Sequence, residues 1–135
     1  MGTWGIGSFE NDGAADFLID VLDSGDLSLI REVLDNVLTS TEYVEAPDAV
    51  LAIVAAEVVA AARGRATLAA QQEEGLADWL ARIRPTVDDD LRQQAGSALR
   101  RILAEHSELR ELWEDTEDFQ DWQAAVTDLA QQVRA

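Results

Sequence analysis

Between Ala49 and Ala62 the chain reads AVLAIVAAEVVAAA, and thirteen of these fourteen residues are apolar. A helix that is apolar on every side must be buried in protein or lie in a membrane. Spanning a bilayer takes about 17–25 consecutive apolar residues. This run is shorter, and Glu57 interrupts it. The sequence therefore predicts a buried central helix over about 47–63. Pro47 suits its first position, where a missing N–H costs nothing, and Gly64 suits the left-handed residue just past its end. Seven of the fourteen residues are alanine, which lets neighbouring backbones approach closely.

Glu57 is the exception to explain. An ionised carboxylate without partners in an apolar core costs several kcal/mol, so it must meet donors or keep its proton. The best candidate donors lie in Met1–Glu10, MGTWGIGSFE, which has three glycines and no helical period. We read this segment as an irregular arm laid over the helices and anchored by Trp4, Ile6 and Phe9. Its backbone amides and the Trp4 indole N–H are expected to reach Glu57 or Asp16. Trp4, Asn11, Asp12 and Glu57 make up the predicted structural polar site.

The rest of the chain repeats one pattern. Asn11 or Asp12 caps a first helix with Ala14, Phe17, Leu18, Val21 and Leu22 inward, and Ser24-Gly25 ends it. Asp26 opens a second, lined by Leu27, Ile30, Val33, Leu34, Val37 and Leu38. The short link predicts an antiparallel hairpin of these two. Residues 39–46 read as a loop, and residues 65–72 are ambiguous, alanine-rich but without a clean apolar face. Leu76, Trp79, Leu80 and Ile83 form a short helix that stops at Pro85. Thr86 is the expected cap of the next, whose buried side runs from Val87 and Leu91 to Ile102 and Leu103. A break or kink is expected near Ser107, before Leu109, Leu112 and Trp113, and Thr116 caps a last helix carrying Phe119, Trp122, Val126, Leu129 and Val133. Nothing alternates as a strand does. The prediction is a single all-α domain over residues 1–135, a compact bundle of five to seven helices around the central one, with residues 1–10 as its arm.

Charge narrows the functional classes. Ten arginines, no lysine and 27 acids leave a formal net charge of −17. Such a field repels phosphate backbones and anionic lipid, which argues against nucleic-acid or membrane binding. It favours a basic protein partner or cations, although solubility alone also explains it. No cysteine is present, so there is no disulfide, thiolate metal site or thiol nucleophile, and the cytoplasm is the natural compartment.

Few motifs carry chemistry. Asp12 and Asp16 stand four apart on one helix, and Glu57 would join them if that helix packs on the central one; three such oxygens could hold Mg²⁺ or Ca²⁺. The preferred reading is no cofactor: Asn11 and Asp12 cap, Asp16 faces water, and the arm satisfies Glu57, because no carboxylate-rich ligand loop is present. Asp88-Asp89-Asp90 is explained by a helix start, where acids meet the positive end of the dipole. His106 has no nucleophile partner in evidence, and Gly5-Ile6-Gly7 lacks the preceding strand and third glycine of a phosphate loop. Trp4, Trp79, Trp113 and Trp122 fall at core positions and are expected to pack.

The opening MGTWGIGSFENDGAADFL, the segment AEVVAAARG at 56–64, the Trp79-Leu80 pair, and SELRELWED at 107–115 followed by Trp122 resemble a bacterial domain-of-unknown-function family, number forty-two fifty-nine. The resemblance covers nearly the whole chain. It implies a small bacterial, cytoplasmic protein with no catalytic residues to carry over, in which the arm and Glu57 belong to one structural signature. Taken with the charge, the expectation is a non-catalytic protein-interaction or regulatory, immunity-like module for a basic partner. The alternatives are a divalent-metal-binding protein or metal-dependent enzyme using Asp12, Asp16 and Glu57, and a self-associating structural protein.

Overall fold

The computed structural model describes residues 7–40 and 42–134. Its helices are α1 (Asp12–Asp23), α2 (Ser28–Leu38), α3 (Ala46–Ala62), α4 (Leu68–Gln71), α5 (Glu74–Ile83), α6 (Asp89–Leu103), α7 (Glu108–Glu114) and α8 (Phe119–Arg134). The fold is all-α, as its periodicities predict, and the eighth helix is the single turn α4 within the ambiguous segment 65–72.

Helix α3 is the axis. Every residue from Ala52 to Ala60 is buried, because α1, α2, α6, α7 and α8 all pack against it. Its alanines make this enclosure possible, since short side chains leave room for neighbours on each side. The large side chains come from the surrounding helices: Ile30 and Leu34 from α2, Leu91, Leu99 and Ile102 from α6, Leu129 from α8. Together they form one continuous hydrophobic cluster. Among the described residues, no helix is long and apolar enough to cross a membrane.

Local chemistry sets most of the helix starts. Asn11, Thr67, Asp88 and Ser107 each accept, through the side chain, from a backbone N–H three residues on. Pro47 sits at the start of α3, and Gly64 past its end has φ 78°. That left-handed geometry costs a residue with a Cβ about 1–2 kcal/mol. Gly64→Ala is accordingly expected to lower stability by about 1 kcal/mol in urea unfolding, although no neighbour would obstruct the new methyl. An unchanged midpoint would mean that the turn is not held in this conformation.

Three expectations need correction. Asp88, not Thr86, caps α6: its Oδ1 accepts from Leu91 N at 2.8 Å, and aspartate is the better cap of the two. Thr116 does not cap α8, which begins at Phe119; its hydroxyl donates to the Trp113 carbonyl and accepts from Asp118 N, shaping the turn between α7 and α8. Nor do α1 and α2 form a hairpin. Because α3 is apolar all round, α1 packs on α3 and α5 while α2 packs on α3 and α6.

The predicted break at Ser107 is present, and it ties two distant segments together. Val44 N donates to the His106 carbonyl and Glu108 N to the Val44 carbonyl, both at 2.9 Å. Glu108 then caps α3 from across the fold, with Oε1 accepting from Ala46 N at 2.7 Å. This places the first turns of α3 and α7 side by side.

Candidate functional site

Glu57 lies on the α3 face turned toward residues 8 and 67, and only 3% of its surface is exposed. Ser8 Oγ donates to Oε2 at 2.5 Å, and Thr67 Oγ1 donates to Oε1 at 2.6 Å. The carboxylate thus joins the N-terminal segment to the turn that follows α3. Thr67 is used twice, since its hydroxyl also accepts from Ala70 N at 3.2 Å and so starts α4. Burial pushes the Glu57 carboxyl above the ordinary glutamate value. The two hydroxyls pull it down, and the charge of Asp128 adds a further upward push. Burial prevails, so the folded chain holds this proton more tightly than the unfolded chain does.

Among the described residues, both partners of Glu57 are hydroxyls, and the N-terminal segment contributes through that of Ser8. Trp4 lies outside the described residues, as do its neighbours through Ile6. Phe9 is packed against the core, as an anchor should be. Thr67 was missed altogether. A threonine ahead of an alanine-rich turn is a helix-start signal, and it was the one cue available.

A small cavity of about 30 Å³ lies beside Ser8, between Ile53, Trp113, Trp122 and Val126. It has room for a water molecule but not for a substrate. Trp122 stacks on Trp113 and Phe119 with centroids 6.4 and 6.1 Å apart, so these indoles serve as core packing. A buried carboxyl that accepts from two hydroxyls on separate segments forms a latch between them.

The predicted acids do not converge. Asn11 caps α1, with its Oδ1 accepting from Ala14 N at 2.8 Å. Asp12 and Asp16 are both exposed on α1. Asp12 borders the first turn of α3 near Pro47, whereas Glu57 is ten residues further along that helix, about 15 Å at 1.5 Å per residue. Among the described residues, no three His, Cys, Asp or Glu side chains are grouped to hold a metal ion. Asp88, Asp89 and Asp90 occupy the cap and first turn of α6.

A groove of about 660 Å³ opens where the N-terminal ends of α1, α3 and α7 meet. Its floor is Pro47, Val50, Leu51 and Leu112, and Asp12, Glu45 and Glu108 stand around it. Leu112 is 51% exposed here. The three segments are far apart in sequence; α1 and α7 both pack on α3, and the Glu108 bond to Ala46 and the Val44 bridge tie the starts of α3 and α7 together.

A helical bundle wrapped round a buried apolar axis, with one internal carboxyl latch and one acid-rimmed apolar groove, defines the class of protein. Within that class, the chain belongs to the family described as Domain of unknown function (DUF4259), which matches residues 2–125. Among curated proteins and among solved structures, nothing matches the chain.

Proposed function

We propose that the protein is a non-catalytic, cytoplasmic interaction module that docks a basic, partly apolar segment of a partner protein, in a regulatory or immunity-like role. The observation that carries this reading is the groove: an apolar floor ringed by Asp12, Glu45 and Glu108. An apolar floor rewards burial of a partner side chain, and the carboxylates select one flanked by Lys or Arg. The net charge of −17 steers such a partner toward the surface over roughly a Debye length, about 8 Å at physiological ionic strength. Glu57 has a supporting role, fixing the end of α3 so that its first turns hold the groove in shape.

A lysine- and leucine-rich amphipathic peptide, followed by fluorescence anisotropy, tests the reading. Leu112→Asp is expected to weaken binding about tenfold, the effect of losing about 1.4 kcal/mol of interface burial. Asp12→Asn with Glu45→Gln is expected to flatten the salt dependence. Binding that all three substitutions leave untouched, or that is absent at low salt, would overturn the proposal.

A further inference from the structure

A second concavity, also of about 660 Å³, lies between α6 and α8. It is lined by Arg92, Gln93, Gly96, Ser97 and Arg100 of α6 and by Arg134 of α8. Acids outnumber arginines 27 to 10 in this chain, yet among the described residues the lining holds three arginines and no carboxylate. Arg92, Gly96 and Arg100 follow at intervals of four and so share one helix face.

The geometry is that of a prepared site. Arg100 Nη2 donates to Ser97 Oγ at 3.0 Å, which fixes its direction. Gly96, lacking a side chain, lies buried between the outer arginines of that face. A methyl there would lie 3.5 Å from Arg100 Nη1 and 3.6 Å from Arg134 Cγ, so both side chains converge over it. Arg92 pairs with the exposed Asp89 at 3.1 Å. Neither Arg100 nor Arg134 has a carboxylate partner among the described residues.

We propose that this concavity binds a compact, multiply charged phosphoryl group. Guanidinium forks match phosphate oxygens in pairs, and three of them around one hollow repel one another until an anion sits between. Compactness follows from the rest of the surface. A long polyanion would run out over a protein of charge −17 and be repelled along its length, whereas a small phosphate compound meets only the arginines. The site is separate from the α1–α3–α7 groove, so each stands or falls alone.

Calorimetric titration of the full chain with inorganic pyrophosphate at physiological ionic strength, where the field of the rest of the surface is screened within about 8 Å, tests the proposal. Saturable binding is expected, weakened about tenfold by Arg100→Gln and by Arg134→Gln, each corresponding to about 1.4 kcal/mol. Arg84→Gln, outside the concavity, should bind as the parent does. Both site variants replace exposed side chains, and unchanged thermal midpoints will show that their folds are intact. In a second arm with ADP, tighter binding than pyrophosphate assigns the phosphate to a nucleotide, and equal or weaker binding assigns it to a free phosphate; either upholds the site. Absence of pyrophosphate binding at millimolar concentration, or binding that Arg100→Gln and Arg134→Gln do not alter, would overturn it.

Discussion

Trp79→Ala is expected to lower the unfolding free energy by about 3–5 kcal/mol, the range for emptying a buried aromatic site. Trp79 is 1% exposed and heads the largest fully buried side chains of the bundle. With Leu76, it forms the buried side of α5, a helix that packs against α1 and α4. Its Nε1–H donates to the Ser24 carbonyl at 2.8 Å, in the turn that ends α1. Alanine therefore leaves both a cavity and a carbonyl without its donor. Trp79→Phe separates the two losses: it keeps most of the ring volume, and its cost of about 1–2 kcal/mol reads the lost hydrogen bond. Urea unfolding followed by circular dichroism measures both. A change below about 1 kcal/mol for alanine, the scale of surface substitutions, would mean that α5 is not pinned through this indole.

The second large effect is at Glu57, and it depends on pH. Glu57→Leu fills similar space but leaves the Ser8 and Thr67 hydroxyls without their acceptor, at a cost of about 2–3 kcal/mol. Glu57→Gln keeps one oxygen as acceptor, and its amide N–H can donate to the other hydroxyl, which can reverse. The folded carboxyl is held above its unfolded value of 4.5, so its contribution to stability is fully present below that pH. It is lost as pH rises from 4.5 through the raised folded value. The glutamine variant has no such loss. Its stability relative to the parent should therefore be level in acid and climb as pH rises above 4.5. Asp26 and Asp88 shift the other way, lowered by bonds from the Ser28 and Leu91 backbone amides, but they are common to both proteins and cancel in the difference. A difference that stays flat with pH would remove the raised carboxyl.

The architecture was legible because α3 is so one-sided in composition. A run with no polar face admits burial and little else, and the amphipathic helices around it declare which face turns inward. Thr86 and Thr116 were misplaced as caps for a local reason: several good capping residues lie within a few positions, and the sequence alone does not say at which of them the helix begins. The hairpin of α1 and α2 failed because short links constrain distance, while the surface offered by α3 decides where each helix settles. At the site, the need of Glu57 for partners could be read from its apolar surroundings, and one of the two came from the expected N-terminal segment. The choice of hydroxyls could not be read, because Ser8 and Thr67 are 49 and 10 residues away and nothing in their spacing marks them. The groove was invisible for the same reason. It depends on Glu108 reaching Ala46 across 62 residues.

An NMR titration of the Glu57 side-chain carboxyl, assigned by its loss in Glu57→Gln, bears most directly on the latch at the centre of the fold. A midpoint above 4.5, rising further when Thr67 is replaced by valine, is the predicted result, since the hydroxyls are what hold the value down against burial. A midpoint at or below 4.5, indifferent to Thr67→Val, would place this carboxyl in water and contradict the account.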